Sequence, residues 1–541
     1  MSHLLWGSKE TLRNLLCELV SWDSRTLTDG ERNFAYRLRD KLYEIEYFQQ
    51  NPNYVSLHEV DLGRNYVTAF YRNPKVKDTV VLISHFDTVQ TEEYGDLEPL
   101  AFYPEELTKA LRTRKAELPN EACDDLESGE YLFGRGTMDM KMGLALHMSI
   151  IEKAIFEQWP INLILLTVPD EEVNSSGMRA AVSGLVQMRD EYDLFYKLFL
   201  NGEPSFSQKP GDSKSYIYSG TMGKIMPAAL FYGKETHVGE PFKGITAPYI
   251  SSFLTQLMEW NTLFREKNLG ETTPLPVALQ QKDLKSQYST QTPYRSVALY
   301  NVFVMRRSAS DIMNLFEKVA QEAAAACNAS YKTLCQREQL NGVGEIQVLR
   351  YEKLVVYAEQ KLGKRLVEEI KNEVKENFHW DEREKSLRIA DKLLIQCQEL
   401  APAIVILFAP PYYPPVNTSH DPLIIDSIKK IKKIKKMANK ISMDINHIHY
   451  FNGVCDLSYV HYNNHDDGWS AFERNTPVWG ETYNIPFKDM MKLQAPVFNV
   501  GPFGKDAHQR TERLHIESAF VQTPMMIECL LKNMFTDANT I

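Results

Sequence analysis

The sequence has few cysteines, no long apolar run and no excess of positive charge. Its seven cysteines are scattered without a Cys-x-x-Cys pair, so neither a disulfide framework nor a thiolate metal site is indicated. Reduced thiols and a cytoplasmic location are expected instead. No run of 18 apolar residues occurs, and the N-terminus lacks a basic segment followed by an apolar one. We therefore expect neither a membrane span nor a secretory leader.

The charge balance is acidic, with a formal net charge of −10, which argues against general nucleic-acid binding. One basic segment, residues 428–437, places isoleucine at every third position between pairs of lysines. This spacing predicts an amphipathic helix with an apolar stripe and solvated lysines. A nucleic-acid contact is the alternative, and the acidic whole opposes it. The chain of 541 residues is long enough for more than one domain.

Three apolar runs predict strands that are buried on both faces of a sheet. They cover residues 79–83, 161–168 and 194–200. Helices are expected between them, over residues 142–157 and 175–190, and this order is typical of an α/β fold with a mixed sheet. Ligand sites in such sheets lie beyond the carboxyl ends of the strands.

The pattern changes near Gly220, where a smaller α+β domain is predicted. It combines a helix over about residues 249–266, a strand over 296–305 and a helix that begins at Ser308 or Ser310. A charged helical stretch and a strand over 404–408 follow, and the proline cluster at 410–415 marks the return to the first domain. The predicted division is therefore residues 1–219 and 409–541 for the first domain, and 220–408 for the second.

Five short segments carry the residue types of a two-metal hydrolase site. Each places a His, Asp or Glu after a predicted strand or in a loop rich in Gly or Pro. Imidazole and carboxylate without thiolate is the ligand set that hard or borderline divalent cations prefer. Any single segment has an ordinary alternative, such as an acidic helix N-terminus or a polar strand end, but the combination favours metal binding. The segments are Ser84–Asp87, Gly134–Asp139, Pro169–Glu172, Gly202–Pro204 and Ala507–His508.

On these motifs the sequence resembles the co-catalytic zinc exopeptidases and deacylases that include aminoacylase, acetylornithine deacetylase, succinyl-diaminopimelate desuccinylase and dipeptidase V. The resemblance runs from about Leu15 to about Glu517, and it is best for the long bacterial branch called arginine-utilisation protein RocB. Residues 83–89 and 134–141 are the most specific. The resemblance implies a zinc-exopeptidase catalytic domain into which an α+β lid domain, here enlarged, is inserted.

The resemblance also implies a dinuclear site for two divalent cations, zinc in the first place with manganese or cobalt as alternatives. Asp139 would bridge them, His85 and Glu203 would complete one site, and Glu172 and His508 would complete the other. The Asp139–Met140 peptide bond is expected to be cis. Near the end of the chain two competitors of His508 remain open, namely Asp506 and His515.

Three further residues receive roles in the reaction from the resemblance. Glu171 is the candidate general base, because bound cations lower the pKa of a water towards ~7 and a carboxylate then suffices. Asp87 is placed to accept the second imidazole N–H of His85. His237 resembles a lid histidine that stabilises the oxyanion, with a surface loop position as the alternative. Four other histidines are predicted to be lid-facing or surface residues, namely His447, His449, His461 and His465.

The predicted function is hydrolysis of an amide bond in a small N-acyl amino acid or short peptide by a metal-activated water. Arginine or amino-acid catabolism is suggested by the subfamily name alone. The alternatives are a dipeptidase or carboxypeptidase, and a metal-binding partner protein without activity; Glu171 speaks against the latter. The expected partner is a small molecule or short peptide, neither nucleic acid nor membrane. The long second domain predicts either a monomer, with a lid of two subdomains that brings His237 to its own site, or a homodimer.

Overall fold

The computed structural model describes residues 4–209, 212, 214–285, 287–437, 445–462, 468–480 and 482–535. Its helices are α1 Lys9–Ser21, α2 Asp29–Leu42, α3 Glu46–Gln50, α4 Pro104–Arg112, α5 Asn120–Ser128, α6 Met142–Glu157, α7 Ser176–Tyr192, α8 Ala247–Met258, α9 Ala309–Glu338, α10 Tyr351–Leu362, α11 Lys364–Lys375, α12 Glu382–Gln396, α13 Pro422–Met437, α14 Ser470–Asn475, α15 Phe487–Leu493 and α16 Thr523–Asn533.

The strands are β1 Val55–Glu59, β2 Asn65–Tyr71, β3 Asp78–His85, β4 Tyr131–Phe133, β5 Asn162–Val168, β6 Phe195–Asn201, β7 Ser215–Tyr218, β8 Gly220–Thr221, β9 Gly223–Tyr232, β10 Lys267–Asn268, β11 Glu271–Thr272, β12 Val277–Asp283, β13 Arg295–Val304, β14 Gln347–Arg350, β15 Ala403–Tyr413, β16 Val416–Asn417, β17 Ile445–Ile448, β18 Val497–Asn499, β19 Gly504–Lys505 and β20 Arg513–His515.

The chain divides into two compact units. Unit 1 comprises Met1–Thr221, Val416–Tyr462 and Pro486–Ile541, and unit 2 comprises Met222–Pro415 and Asn463–Ile485. The division predicted from the sequence, after residues 219 and 408, differs from these two units in two respects. Strand β15 continues through Pro410 and Pro411 to Tyr413, so the chain returns to unit 1 after Pro415 and not after Phe408. The sequence analysis also assigned residues 463–485 to the first domain, whereas α14 packs on α9 and β15 of unit 2.

Unit 1 is built on a mixed eight-stranded sheet in the order β1-β2-β5-β3-β6-β18-β7-β17. Strand β3 runs parallel to β5 and β6, so their carboxyl ends lie at the same edge. Leu82 and Leu165 belong to the apolar core that contains residues of α1 and α6, and α7 packs on β2 and β5. The α/β class with a mixed sheet is thus confirmed, and α6 and α7 match the two predicted helices to within two residues.

Unit 2 has a five-stranded sheet in the order β12-β13-β9-β15-β14. Its first four strands are antiparallel, and β14 pairs parallel with β15. The side chain of Ser308 accepts a hydrogen bond from the backbone of Asp311, so α9 begins where the sequence predicts. The enlarged lid was expected to form two subdomains. Instead, the added segment contributes β14 to the one sheet and packs α12 against β9 and β15.

The lysine-rich segment is helical, as its isoleucine spacing predicts. It forms the C-terminal part of α13, where Ile431 is fully buried with Ile424. Helix α13 packs against α16 of the same unit, and at Ile431 its apolar stripe is covered. Within the described ranges, no helix is long and apolar enough to cross a membrane.

A close backbone approach fixes the start of α6 against the loop after β6. A Cβ atom on Gly143 would lie 2.5 Å from the carbonyl oxygen of Gly202 and 2.6 Å from Cε of Met140. Glycine in a helix interior costs about 1 kcal/mol relative to alanine. Its use here follows from the contact, because no other residue leaves room for the loop that carries Glu203.

We predict that Gly143→Ala lowers the stability of unit 1 by about 1–3 kcal/mol, as overpacking does, despite its better helix propensity. The urea midpoint followed by tryptophan fluorescence measures this change. Gly184→Ala in α7 is the matched control, because the added methyl group would meet only the Tyr66 side chain, which can shift. A Gly143→Ala protein as stable as the wild type would contradict the argument.

Candidate metal centre

The five predicted ligands converge at the carboxyl edge of the unit 1 sheet. His85 is the last residue of β3, Glu172 lies in the loop after β5, and Glu203 follows β6. Asp139 lies in the turn before α6, and His508 lies between β19 and β20. All five belong to unit 1, so the cluster forms within one unit although its members are far apart in sequence.

The two carboxylate oxygens of Asp139 face different histidines. Oδ1 lies 3.3 Å from Nε2 of His85, and Oδ2 lies 3.1 Å from Nε2 of His508. Glu203 Oε1 is 3.5 Å from the first imidazole, and Glu172 Oε2 is 3.1 Å from the second. The cluster thus has two halves that share Asp139, the arrangement that a bridging carboxylate between two cations requires.

A tight turn brings Asp139 to this position. Gly136 has φ +75°, and a Cβ atom there would come within 2.9 Å of the Thr88 methyl group, so a side chain is excluded on both counts. The Asp139–Met140 peptide bond is cis, which confirms the expectation drawn from the resemblance. The turn is wholly buried.

Asp87 binds the loop of the acidic residues as well as His85. Nδ1 of His85 lies 3.1 Å from the main-chain oxygen of Asp87 and 3.5 Å from its carboxylate. The contact is with the predicted residue, and the nearer acceptor atom is its carbonyl oxygen. The carboxylate instead accepts the backbone N–H groups of Glu171 and Glu172 at 3.0 and 3.2 Å and the hydroxyl of Thr26 at 2.9 Å.

This contact sets the tautomer of His85. A carbonyl oxygen can only accept, so Nδ1 carries the proton and the lone pair of Nε2 faces the carboxylates. Nε2 is buried and makes no hydrogen bond of acceptable geometry in the described structure, although Asp139 is close by. A lone pair that faces carboxylate oxygens is repelled unless a proton or a metal cation lies between them. Burial acts to lower the pKa of His85, but Asp139, Asp87 and the neighbouring glutamates raise it well above the ordinary value. The residues present therefore fit divalent cations.

Opposite pKa shifts within the cluster support the same conclusion. Burial raises the pKa of Glu171 and Glu203 well above the ordinary value, and neighbouring carboxylates add to it. Burial also acts to raise the pKa of Asp139, but both histidines outweigh it and lower that pKa. Burial acts to lower the pKa of His508, but Asp139 and Glu172 raise it to about 11. Without cations, the cluster would retain protons to offset its negative charge.

Among the described residues, the side chains form two groups that could each hold a cation. The ligand atoms of His85, Asp139 and Glu172 lie within 4.8 Å of one another, and so do those of His85, Glu171 and Glu203. Glu171 therefore stands where either a ligand or a base could act. Its assignment as base stays a prediction from the sequence.

A buried arginine that the sequence analysis missed supports the acidic loop. Arg64 donates to Asp170 at 2.7 Å and to the hydroxyl of Ser176 at 3.0 Å, and Glu31 lies 3.4 Å from its guanidinium. Asp170 has φ +68° and also accepts the backbone N–H of Ser176 at 3.0 Å. The network holds the loop in this strained conformation. Arg64 lies on the N-terminal side of β2, far from any motif.

Asn499 in β18 and Gly501 just after this strand hold the backbone next to Glu203, and the sequence analysis missed both residues. Nδ2 of Asn499 donates to the carbonyl oxygen of Glu203 at 3.0 Å. A Cβ atom on Gly501 would collide with the same oxygen. Only the pairing of β18 with β6 brings these residues together, so no local signal could have identified them.

The two competitors of His508 have other partners. Nδ1 of His515 accepts the backbone N–H of Ser518 at 3.1 Å. The carboxylate of Asp506 accepts the Thr511 hydroxyl at 2.7 Å and pairs with Arg513. His508 is therefore the residue of this segment that reaches the cluster, and its ligand role stays a prediction.

The other described histidines that the sequence singled out contact backbone or hydroxyl groups of their own surroundings. His237 belongs to unit 2, where its Nδ1 accepts the backbone N–H of Gly239 at 3.0 Å, and its role in the reaction stays a prediction. His447 and His449 are half-buried and bind the hydroxyl groups of Ser219 and Ser419. His461 is buried and its Nδ1 lies 3.0 Å from a carbonyl oxygen, so the surface alternative is wrong for this residue and the lid-facing one stays a prediction. Position 465 lies outside the described residues.

Comparison with known proteins agrees with this geometry. The pattern of peptidase family M20/M25/M40 matches residues 81–532. The chain is 39% identical over 528 residues to the protein YqjN of Bacillus subtilis, covering 96% of each chain. It is 30% identical over 544 residues to protein RocB of the same organism, covering 98% of this chain and 95% of that one. The resemblance to RocB is confirmed, and YqjN is the more similar of the two.

The fold also matches that of a solved structure. The M20 family metallo-carboxypeptidase Sso-CP2 from Sulfolobus solfataricus superposes with a TM-score of 0.56 and 13% identity, covering 96% of this chain and 98% of that one. At this identity the match supports the fold, with its catalytic and lid domain architecture, and not a substrate.

We predict that His508→Ala reduces the divalent cations bound per chain from two to about one, because the half of the centre around it loses its only nitrogen ligand among the predicted residues. Metal analysis after dialysis against zinc measures this. His515→Ala is the control in the same segment and should retain two cations. Equal metal contents in the two variants would show that His508 is not a ligand.

We also predict that Glu31→Gln alters the pH dependence of stability. Burial raises the pKa of Glu31 to about 8, with Asp87 adding to the rise and Arg64 opposing it, whereas an unfolded glutamate titrates near ~4.3. Between these values the folded state keeps a proton that the unfolded state has lost, so stability falls as pH rises. Glutamine removes that fall. In metal-saturated buffer, the urea midpoint of Glu31→Gln minus that of the wild type should become larger as the pH is raised from about 5.5 to about 8.5. A difference that stays constant over this range would contradict the prediction.

Proposed function

The chain belongs to peptidase family M20/M25/M40 and is a hydrolytic enzyme, and we propose that it cleaves an amide bond of a small N-acyl amino acid or short peptide. The observation that carries the proposal is the position of Asp139, whose two oxygens face two different histidines. An acid beside this pair, Glu171, completes the groups that metal-assisted hydrolysis needs.

The proposed ligands are those predicted from the sequence. Asp139 is shared, His85 and Glu203 hold one divalent cation, and Glu172 and His508 hold the other, zinc being proposed first and manganese or cobalt as alternatives. When bound, such cations supply Lewis acidity, which polarises an amide carbonyl and lowers the pKa of a water. His85 is prepared for this role by Asp87, which fixes its tautomer.

Glu171 is the proposed general base. Its backbone N–H is held by the carboxylate of Asp87 at 3.0 Å, so the side chain starts from a fixed point. The carboxylate would take a proton from the attacking water and deliver it to the nitrogen of the leaving amine. Breaking the C–N bond then releases an amine and a carboxylic acid, which passes its proton to the amine or to solvent, and the base is restored.

Two alternatives remain as second candidates. The superposed protein is a metallo-carboxypeptidase, and a dipeptidase or carboxypeptidase would use the same groups. A metal-binding partner protein without activity would not need Glu171. Arginine or amino-acid catabolism, a cytoplasmic location and the oxyanion role of His237 stay predictions from the sequence.

A substrate panel tests the proposal directly. The zinc-, manganese- and cobalt-loaded protein is assayed against N-acetyl and N-succinyl amino acids and against dipeptides, with release of the free amine as the readout. Turnover confined to the N-acyl compounds supports a deacylase, and turnover of dipeptides alone supports the peptidase alternative. A fully loaded protein that hydrolyses none of them would overturn the proposed substrate classes.

We predict that Glu171→Gln and Glu172→Gln separate the base from the ligand. Loss of the base should lower kcat by about 10²–10⁴-fold while two cations stay bound. Loss of the ligand should lower the metal content as well. Metal analysis and steady-state kinetics on the same preparations provide the two measurements. Equal metal loss in both variants would mean that Glu171 is a ligand, a role that its position near His85 and Glu203 also allows.

A further inference from the structure

His508 is the most exposed of the five proposed ligands. Its side chain is 48% exposed, whereas the side chains of the other four are between 1% and 10% exposed. His508 also has φ +64° and Asp506 has φ +57°, so the segment adopts a conformation that side chains disfavour. Only about half of the imidazole is packed, so its position depends more on how the segment is attached than the positions of the other ligands do.

A buried ion pair attaches this segment to the turn of Asp139. Nη1 of Arg135 donates to Oε2 of Glu512 at 2.6 Å, and the two side chains are 1% and 0% exposed. The backbone N–H of Gly134 donates to the carbonyl oxygen of Glu512 at 3.1 Å. Arg135 shortly precedes Asp139 and Glu512 shortly follows His508. The pair therefore joins the two segments that supply the ligands facing each other at 3.1 Å.

Glu512 depends on Arg135 within the described structure. Its second oxygen, Oε1, is buried there without a hydrogen-bond partner. Arg135 has two further contacts, an ion pair with Glu93 and the ring of Tyr94 at 5.4 Å. A buried ion pair is weak evidence for stability, because apolar residues of similar volume often serve equally well. The guanidinium does provide direction, since its two terminal nitrogens point in fixed directions and bind two different carboxylates, Nη1 that of Glu512 and Nη2 that of Glu93.

We propose that the Arg135–Glu512 ion pair positions the half of the metal centre formed by Asp139, Glu172 and His508. Both members are positioning residues, because neither reaches the proposed cations. The inference uses the ligand set of the proposed function but not its reaction. It can therefore be tested on the protein without any substrate.

The direction in which a substitution of Arg135 changes cation affinity distinguishes a positioning role from a purely electrostatic one. Arg135 is a buried positive charge close to a proposed cation site, so its removal should tighten cation binding if charge alone matters. If the pair sets geometry, Arg135→Met should weaken binding at the His508 half, because the segments of His508 and Asp139 lose the side-chain part of their attachment. The backbone bond between Gly134 and Glu512 and the pairing of β4 with β20 remain. Partners of this kind typically contribute 10–100-fold to metal affinity.

The test is a calorimetric titration of the metal-free full chain with Mn²⁺. We expect two sites in the wild type, and in Arg135→Met and Glu512→Gln a loss of at least about tenfold at one site with a change below about threefold at the other. The remaining site should match that of His508→Ala and differ from that of Glu203→Gln, which identifies the half that is lost. Arg114→Met is the matched control, since Arg114 pairs with Asp96 at the surface.

Several outcomes would overturn the proposal. Binding by Arg135→Met that equals or exceeds the wild type at both sites would assign Arg135 an electrostatic effect only. Equal losses at both sites, or a single site in the wild type, would remove the basis for a separate half. If circular dichroism shows that Arg135→Met does not fold, Arg135→Lys retains the charge without the guanidinium and should still lose affinity at the same half. A failure of the hydrolysis assay would leave these results unchanged.

Discussion

The mutual repulsion of buried carboxylates is the constraint on which unit 1 depends. Asp139, Glu171, Glu172 and Glu203 converge beside two imidazoles at one edge of the sheet. Burying so much negative charge is unfavourable unless positive charge or hydrogen bonds compensate it. The surrounding structure supplies attachment for the backbone of each loop, and the cations would supply the missing charge. The fold thus holds together a site that would repel itself if left uncompensated.

The parts of this site that the sequence could reveal are those with a local signal. A run of apolar residues that stops at His85 identifies both a buried strand and the polar residue at its end. The glycines before Asp139 and the acidic residues after β5 are equally local. Arg64 and Asn499 carry no such signal, because pairing between distant strands alone brings them to the loops they support.

The predicted domain boundaries differ from the limits of the two compact units for a related physical reason. Proline normally ends a strand because it lacks an N–H donor, yet β15 continues through Pro410 and Pro411 with an irregular register before Tyr413. Residues 463–485 belong to unit 2 because α14 packs on α9 and β15. Neither fact can be read from the local sequence, since each depends on what the segment packs against. The extra strand β14 likewise extends an existing sheet, where length alone had suggested a second subdomain.

The unequal exposure of the ligands gives the two halves of the centre different kinetics. A cation held by His85 and Glu203 would be enclosed by buried side chains on the protein side, and its release would require several groups to move. A cation in the other half would have one half-exposed ligand, His508, beside the buried Asp139 and Glu172, so its release could begin with movement of the imidazole. Exchange with free ions should therefore proceed through the His508 half, so that mixed-metal forms arise there first. The identity of the metal in the His508 half would then follow the ion composition of the solution more closely than that of the metal in the other half.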